Sequence, residues 1–288
     1  MSLDRLPPLR AVIAEHGLGA DKRFGQHYLL DLNLTAKIAR LCGALSQSTV
    51  FEVGPGPGGL TRALLGQGAG EVIAIEKDGR FKPALDALSE ASGGRLRTVR
   101  ADGLAVDEAQ IETRFQRRLL ASNLPYNVGT ALLIKWLQAQ PLWWDRLVLM
   151  FQKEVAERVC AEPGDKAYGR LAILTCAVAG ARFAFTVPAR AFTPPPRVDS
   201  AVVVLEPLPA AQRFLDLEAL STVTESAFGQ RRKTLRKSLG AAAARCGCSA
   251  EAILHAAGIE PGARAETIEP AGFFALARAW RGARGQDA

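Results

Sequence analysis

Short apolar runs alternate with longer amphipathic segments along the chain from residue 49 onwards. The runs are rich in β-branched residues or Leu and occupy 49–53, 71–75, 96–101, 119–122 and 146–151. The segments between them repeat apolar residues at helical spacing, as in 60–65, 81–88 and 130–138. Strand and helix in alternation predict an α/β fold, a mostly parallel sheet with helices on both faces. Two later runs, 182–187 and 201–205, flank a Pro-rich loop and predict a final pair of strands at the sheet edge, the last one antiparallel.

The pattern changes where Pro207 and Pro209 interrupt the chain. No strand pattern follows, and a helix is predicted from the apolar residues Leu215, Leu217, Leu220, Val223 and Ala227. We therefore predict a first domain over 1–208, with an N-terminal segment 1–48 that serves substrate and cofactor, and a small all-helical domain over 209–288. The apolar stretch 171–181 predicts a buried helix, because it is too short to span a bilayer.

Composition narrows the class of protein. Of the 288 residues, 48% are hydrophobic and 23% charged, as in an ordinary globular protein, and the net charge of +7 is compatible with a polyanionic partner. Charges interrupt the first thirty residues, so no signal-peptide core is visible. The 5 cysteines form no disulfide framework, and the pair Cys246 and Cys248 has no His or Cys cluster nearby. We expect a monomeric cytoplasmic protein with no metal and no membrane span.

A glycine-rich loop, Glu-Val-Gly-Pro-Gly-Pro-Gly-Gly over 52–59, follows the first predicted strand and precedes a helix. Gly54, Gly56 and Gly59 satisfy the G-x-G-x-x-G pattern, so a nicotinamide-dependent oxidoreductase is one alternative. Pro55 and Pro57, however, remove two backbone N–H donors that a pyrophosphate would need. The loop therefore favours a nucleoside ligand without phosphates.

An acidic residue ends each of the next two predicted strands. Glu76 is placed to accept hydrogen bonds from both hydroxyls of a ribose, and Asp102 to accept one from an adenine amino group. The alternative is that both are ordinary strand-end turn residues. Together with the glycine loop, they predict an adenosine-binding pocket.

The fourth predicted strand leads into the sequence Asn123-Leu124-Pro125-Tyr126. Because ligands of parallel sheets bind at the carboxyl ends of strands, this loop is predicted to line the same pocket. Pro125 holds Leu124 in an extended conformation, so the side-chain oxygen of Asn123 and the carbonyl of Leu124 form two acceptors for one amine. Tyr126 supplies an aromatic face on which a base can stack. The alternative is a simple turn.

Two acceptors on one amine have a chemical purpose. The amine of adenine is a poor nucleophile because its lone pair is delocalised into the ring, and acceptors for its hydrogens favour a pyramidal nitrogen. The sulfonium of S-adenosylmethionine is a strong methyl donor, so alignment is most of what a protein must add. The loop thus predicts methylation of an amine on a planar, stacked substrate such as adenine. The glycine loop with Glu76 and Asp102 is predicted to bind the methyl donor, S-adenosylmethionine.

The chain resembles the ribosomal RNA adenine dimethyltransferases almost end to end, and the bacterial small-subunit members most. The resemblance rests on motifs in the family's order at 22–29, 52–56, 74–76, 101–102, 123–127, 192–200 and 228–235. It implies a Rossmann-like class I methyltransferase sheet and a helical C-terminal domain that binds RNA. It also implies an S-adenosylmethionine-dependent enzyme that dimethylates N6 of two adjacent adenosines in the 3′-terminal hairpin loop of 16S rRNA, within the assembling small subunit.

The resemblance further implies roles for individual residues. The cofactor site is expected from His27, Leu29, Gly54, Gly56, Glu76, Asp102 and Asn123. Phe192 is expected to pack against the target base opposite Tyr126. His27 departs from the family, because many members have Asn at this position. A neutral imidazole still donates or accepts one hydrogen bond, so contact with the methionine end of the cofactor is expected to be retained.

A basic run in the C-terminal domain is the main predicted contact with RNA phosphates: Arg231, Arg232, Lys233, Arg236 and Lys237. At helical spacing Arg232 pairs with Arg236 and Lys233 with Lys237, while Leu235 and Leu239 face the core. The alternative is a solvated surface. A thinner patch, Lys22 and Arg23, is predicted to guide RNA over the pocket.

Two further functions stay open beside the small-subunit enzyme and the dehydrogenase. One is a related 23S rRNA adenine dimethyltransferase, which would share the catalytic motifs and differ in the C-terminal domain. The other is a ribosome-assembly checkpoint factor whose binding matters more than its catalysis. Intact Asn123 and Tyr126 argue against a purely structural role.

Overall fold

The structure is a computed structural model that describes residues 3, 6–20 and 26–284. Packing contacts divide the chain into two compact units. The first comprises Met1–Ala156 and Arg182–Pro207, and the second comprises Glu157–Ala181 and Leu208–Ala288. The sequence had assigned all of 1–208 to one domain, whereas Glu157–Ala181 packs with the second unit. Its helix packs on the long helix that follows residue 216, and Phe214 N donates to Ala177 O at 2.8 Å.

The described strands are short and mostly central to the first unit. Their bounds are β1 Tyr28–Leu29, β2 Ser48–Val53, β3 Glu71–Glu76, β4 Leu96–Arg100, β5 Arg117–Asn123, β6 Arg146–Gln152, β7 Ala179–Val187, β8 Phe192–Thr193 and β9 Ser200–Pro207. The helices of the first half are α1 Leu9–Glu15, α2 Leu32–Arg40, α3 Gly59–Gly66, α4 Lys82–Ala91, α5 Gly129–Leu137 and α6 Lys153–Val159. The remaining helices are α7 Arg170–Val178, α8 Leu217–Gly229, α9 Leu235–Ser238, α10 Gly240–Ala244, α11 Ala250–Ala256 and α12 Pro270–Arg284.

A 7-stranded sheet with the order β4-β3-β2-β5-β6-β9-β7 forms the centre of the α/β fold. Strands β4, β3, β2, β5 and β6 run parallel, and β9 pairs antiparallel with β6. The mostly parallel sheet with an antiparallel final strand confirms the predicted fold class. The order reverses beside β2, where β3 lies on one side and β5 on the other, so the loops after these strands open a crevice at their carboxyl ends.

Strand β2 is buried along its whole length, as expected for a central parallel strand covered on both faces. Its polar side chains are therefore paired. Thr49 donates to Glu71 at 2.7 Å, and Glu52 accepts a hydrogen bond from Thr61 of α3 at 2.6 Å. These pairs tie the strand to β3 and to the helix that the glycine loop begins.

A second, 2-stranded sheet was not predicted. In it β1 and β8 pair antiparallel, with Tyr28 opposite Thr193 and Leu29 opposite Phe192. Two-residue strands carry no periodicity, so the sequence gives no sign of the pairing. The pairing brings residues 28–29, the end of the first motif, beside residues 192–193, the start of the Pro-rich motif over 192–200.

The second unit is helical apart from the first residues of β7. Helices α8 and α12 pack extensively on each other, and Arg281 donates to both carboxylate oxygens of Asp216 at 2.7 Å. Asp216 also caps α8 by accepting from Ala219 N. Among the described residues, no helix is long and apolar enough to cross a membrane.

The helical arrangement predicted for the basic run is wrong in its first half. Helix α8 ends at Gly229, and Thr234 is extended and bridges to Arg264, so Arg231, Arg232 and Lys233 lie in a turn. Arg236 and Lys237 alone lie on a helix, α9. The pairs 232/236 and 233/237 therefore do not share a helical face. Leu235 and Leu239 are fully buried, as predicted.

Candidate active site

One cleft of the first unit is lined by the predicted cofactor and catalytic residues. It opens at the carboxyl ends of β2, β3 and β5 and is bordered by β1. Its lining includes His27, Leu29, Gly54, Gly56, Glu76, Asp102, Asn123, Leu124, Pro125 and Tyr126. These residues come from five separate stretches of sequence, which the parallel strands bring to one edge of the sheet.

The glycine loop approaches the other walls of the cleft closely. Gly54 has φ of +71°, which favours glycine, and a Cβ atom there would lie 3.4 Å from the ring of Pro125. A Cβ atom on Gly59 would lie 2.8 Å from the main-chain oxygen of Leu29, which is too close. Gly59 is thus needed for the approach of β1, a role that does not involve a pyrophosphate.

Glu76 ends β3 with both carboxylate oxygens directed at backbone donors. Its Oε2 accepts from Gly56 N at 3.1 Å, and its Oε1 accepts from Asp78 N at 2.7 Å. Burial raises the pKa of this carboxyl, while the backbone hydrogen bonds oppose that shift. The side chain therefore fixes the glycine loop, and each oxygen retains a second lone pair for a ligand hydroxyl.

Asp102 lies after β4 and forms an ion pair at the mouth of the cleft. Lys77 donates to its Oδ2 at 2.8 Å, and Leu104 N donates to its Oδ1 at 3.0 Å. The hydrogen bond from Lys77 lowers the pKa of Asp102, so the group is a carboxylate at neutral pH. It is an acceptor only, as recognition of an amino group requires.

The amide of Asn123 is oriented by the backbone of His27. Its Nδ2 donates to His27 O at 3.2 Å, so Oδ1 is the atom of this amide that accepts hydrogen bonds. The His27 ring is held in turn, because its Nδ1–H donates to the carbonyl of Pro194 at 2.8 Å. His27 thereby connects the loop after β5 with the Pro-rich segment after β8.

Tyr126 is held at both ends of its side chain. Its hydroxyl lies 2.5 Å from the Oγ of buried Ser200, the first residue of β9. Its ring centroid lies 5.4 Å from that of His27, with the planes tilted by 30°. Burial raises the pKa of Tyr126, so the phenol stays neutral. The ring is thus fixed in a neutral form at the wall of the cleft.

Phe192 is the predicted site residue that the structure does not bring to the cleft. It is 2% exposed and packs in the core of the first unit. It does not line the cleft, and its buried ring has no face free for a base. The backbone of its strand is nevertheless close, since Phe192 is opposite Leu29 in the β1–β8 pair.

Several residues at the cleft were missed in the sequence. Gln26 donates to Asp78 at 3.1 Å and accepts from the hydroxyl of Tyr28 at 2.9 Å. Arg80 also donates to Asp78, and its hydrogen bond lowers the pKa of that carboxyl. Gln26 and Tyr28 flank His27 in the N-terminal motif, which was the available signal. Ser200 ends the Pro-rich motif, but nothing in the sequence indicated its partner.

The predicted RNA-binding residues differ in whether their side chains already form ion pairs within the protein. Arg231 donates to Glu266 at 3.0 Å and also to the carbonyl of Asp165. Arg236 lies 3.5 Å from Glu251, both exposed. Arg232, Lys233 and Lys237 are exposed and make no ion pair within the described residues. Lys22 and Arg23 lie outside the residues that the structure describes.

The residues of the cleft fit an adenosyl ligand. A carboxylate stands at the end of each of two neighbouring strands, and apolar walls come from Ile75, Leu104 and Leu132. The loop has prolines where a pyrophosphate cradle would need N–H donors. In the described part of the chain, no group of three or more His, Cys, Asp or Glu side chains is arranged to hold a metal ion.

Comparisons with known proteins agree with this geometry. The family model described as Ribosomal RNA adenine dimethylase matches residues 18–279. The chain is 62% identical to Ribosomal RNA small subunit methyltransferase A of Maricaulis maris (strain MCS10) over 283 residues, which is 98% of each chain. It is 55% identical to the protein of the same name from Phenylobacterium zucineum (strain HLK1) over 280 residues, 97% of this chain and 95% of that one.

Two solved structures are similar along most of the chain. A dimethyladenosine transferase from Plasmodium falciparum has 25% identity and a TM-score of 0.73, covering 87% of this chain and 96% of its own. The 23S rRNA methyltransferase ErmE has 26% identity and a TM-score of 0.63, covering 88% and 99%.

Proposed function

Because the chain belongs to the ribosomal RNA adenine dimethylase family, we propose that it dimethylates N6 of two adjacent adenosines in the 3′-terminal hairpin loop of 16S rRNA. S-adenosylmethionine is the methyl donor. The observation that carries the chemistry is the oriented amide of Asn123 at the end of β5, between the glycine loop and Tyr126.

The substrate amine is held by two acceptors. Asn123 Oδ1 and the Leu124 carbonyl accept its two hydrogens, which directs the nitrogen lone pair away from them and towards the cofactor side of the cleft. The fixed orientation of the Asn123 amide matters here, because an amide turned by 180° would present N–H donors to the amine. Alignment of this kind accelerates a reaction by removing the entropic cost of encounter.

The base is held by stacking. Tyr126 has its hydroxyl bonded to Ser200 and its ring beside His27, so its orientation is set before a base enters. An adenine removed from its RNA stack regains stacking on this ring. The ring of Phe192 is buried in this structure, so it can contact the base only if the end of its strand moves.

The cofactor is held by the other half of the cleft. Glu76 accepts hydrogen bonds from the ribose hydroxyls with its remaining lone pairs, and Asp102 accepts one from the adenine amino group. His27, Leu29, Gly54 and Gly56 border the methionine end. S-adenosylmethionine supplies an electrophilic methyl group there. Neutral Tyr126 and the amide of Asn123 cannot act as bases. The methylated nitrogen therefore loses its proton to water, after the methyl group has been transferred.

The choice of small-subunit RNA as the substrate is supported by the relatives of high identity, which are named as small-subunit methyltransferases. We propose that the partner is 16S rRNA within an assembling small subunit, and that the protein acts as a monomer in the cytoplasm. The likeness to a 23S rRNA methyltransferase is more distant at 26% identity, so that alternative is the second candidate.

The test is methylation of under-methylated small subunits with methyl-labelled S-adenosylmethionine, followed by mass spectrometry of the modified nucleosides. Dimethyladenosine at two adjacent positions of the 3′ hairpin is expected. Label in 23S rRNA alone would establish the second candidate. Tight binding to small subunits without any methylation would support the checkpoint role and overturn the proposed reaction.

A further inference from the structure

A second groove of the first unit lies on the other side of the β1 strand end from the cleft. Leu29 lines the cleft, and the next residue, Leu30, lines this groove. Helices α1, α2 and α3 and the segment 190–193 form its walls. Three arginines from three of these elements line it, and we call it the arginine groove: Arg10, Arg62 and Arg190.

Arg62 is the arginine whose guanidinium group lacks part of its hydrogen-bond and ion-pair partners. It is half-buried on α3, and its Nη1 donates to the carbonyl of Pro7 at 2.7 Å. Its Nε is buried and has no hydrogen-bond partner among the residues that the structure describes. No carboxylate among the described residues forms an ion pair with it. Burial accordingly lowers the pKa of its guanidinium. A desolvated charge without a counter-ion is costly, so this arrangement is one that an anion would complete.

The charge around Arg62 is mainly positive, with three arginines against one aspartate in the lining. Arg10 and Arg190 are exposed and form no ion pair in the described part of the chain. Asp31 is the acidic residue in the lining, and its Oδ1 is engaged in capping α2, where it accepts from Asn33 N and Leu34 N. The groove is therefore a concentration of positive charge with guanidinium groups suited to a phosphate.

The groove also has an apolar floor and a position next to the cleft. Leu32 is 58% exposed at its edge, which offers an apolar contact for a ribose or a base. Arg190 immediately precedes the segment whose strand β8 pairs with β1. The arginine groove therefore lies beside the β1–β8 pair that borders the cleft.

We propose that the arginine groove is a second RNA-binding site, which holds a backbone phosphate of the strand that flanks the target adenosine. The inference rests on the proposed function, since it takes RNA as the substrate. It adds a phosphate contact in the first unit, distinct from the basic run of the C-terminal domain. The guanidinium of Arg62 provides the fixed donor, while Arg10 and Arg190 add exposed charge.

The test is the salt dependence of binding to a 16S 3′-hairpin RNA. Arg190→Ala and Arg62→Gln are compared with Arg40→Ala, which removes an exposed arginine from the far end of α2 outside the groove. Each groove variant is expected to weaken binding several-fold and to reduce the slope of log Kd against log salt by about 0.7 to 0.9. The Arg40→Ala slope is expected to equal that of wild type. If Arg62→Gln fails to fold, the exposed pair Arg10→Ala and Arg190→Ala gives the same readout.

Two outcomes would overturn the inference. One is a groove variant whose slope of log Kd for RNA against log salt equals that of the control Arg40→Ala. The other combines two results for Arg190→Ala. The variant loses the stabilisation that inorganic phosphate gives to the wild type, but its slope of log Kd for RNA against log salt is unchanged. This outcome would mean that the groove binds free anions and not RNA. Methylation by the wild type is measured in parallel. Absence of methylation would overturn the proposed function. Methylation together with unchanged salt slopes would overturn only the proposal that the arginine groove binds RNA.

Discussion

The side-chain amide of Asn123 donates a hydrogen bond to the main-chain carbonyl of His27, with 3.2 Å between Nδ2 and O. This hydrogen bond leaves Oδ1 as the atom of the amide that can accept a hydrogen bond in the cleft. Because a main-chain carbonyl forms the contact, it is independent of the side chain at position 27. The unusual histidine therefore leaves the orientation of Asn123 intact, and its ring takes a separate role between Pro194 and Tyr126.

Replacing Asn123 by Ala should nearly abolish methyl transfer while the fold is retained. The variant loses one of the two acceptors for the amine, and loss of one such preorganised group costs about 100-fold or more in kcat. Steady-state kinetics and thermal melting measure the two effects. Asn33→Ala, an exposed position on α2, is the control. A wild-type rate in Asn123→Ala would contradict the role of its side chain.

Tyr126→Phe and Tyr126→Ala should separate the hydroxyl from the ring. Phe keeps the stacking surface and leaves buried Ser200 without its partner, which costs about 1 to 3 kcal/mol of stability and less than about tenfold in rate. Ala also loses base stacking, worth about 1 to 3 kcal/mol per base, so KM for RNA should rise about 10- to 100-fold. Ser200→Ala, measured alone and together with Tyr126→Phe, should show a non-additive effect on melting. Full additivity would show that the two hydroxyls act independently.

Glu76→Ala should weaken cofactor binding more than RNA binding. The change removes two anchors of the glycine loop as well as the acceptor for the ribose. We expect the Kd for S-adenosylmethionine to rise at least about tenfold, which corresponds to about 1.4 kcal/mol. Isothermal titration calorimetry measures it, with Glu90→Gln as an exposed control. Equal affinity in Glu76→Ala and the control would exclude the carboxylate from the site.

Glu52 should make the protein less stable as pH rises through neutrality. Burial raises its pKa to about 8 in the folded chain, against about 4.3 for a free glutamate. Between these values the folded chain binds the extra proton, so the free energy of unfolding falls as pH rises, until the folded pKa is passed. Glu52→Gln keeps an acceptor for Thr61. In this variant the melting temperature should change less with pH between about pH 5 and pH 8. An unchanged pH slope would contradict the buried, protonated state.

The basic run of the second unit should divide into two classes of residue. Arg232→Ala and Lys233→Ala remove exposed unpaired charge and should each lower the salt slope of RNA binding by about 0.7 to 0.9 without altering stability. Arg231→Ala breaks the contacts with Glu266 and Asp165, so it should lower the melting temperature of the second unit. Filter binding and calorimetry separate the effects. An unchanged salt slope in Arg232→Ala and Lys233→Ala would show that the run is a solvated surface without phosphate contacts.

The sheet and the cleft could be predicted because their signals are local. Strand β2 is a short buried run that includes β-branched residues. The glycine loop and the acid Glu76 follow at strand ends, where the topology of a parallel sheet brings ligands. The family prediction is confirmed by the match over residues 18–279. Residue roles within the cleft stay predictions for Asn123 and Tyr126, which the experiments above test.

What could not be predicted depends on contacts between distant parts of the chain. The β1–β8 pair joins two-residue strands, and the burial of Phe192 follows from that pair packing in the core. The basic run has helical spacing, but the extended Thr234 bridges to Arg264 and ends the regular pattern before α9 begins. In both cases a long-range interaction overrides what the local sequence favours.

The segment from Phe192 to Ser200 determines when the active site can exist during synthesis. It supplies the partner strand of Leu29, the carbonyl that holds the His27 ring and the hydroxyl that fixes Tyr126. A ribosome makes these residues after the whole cofactor-binding half of the sheet, and such non-local pairing forms slowly. The glycine loop, Glu76 and Asn123 are therefore synthesised before the segment that completes the walls around them. We expect the candidate active site to form late in translation.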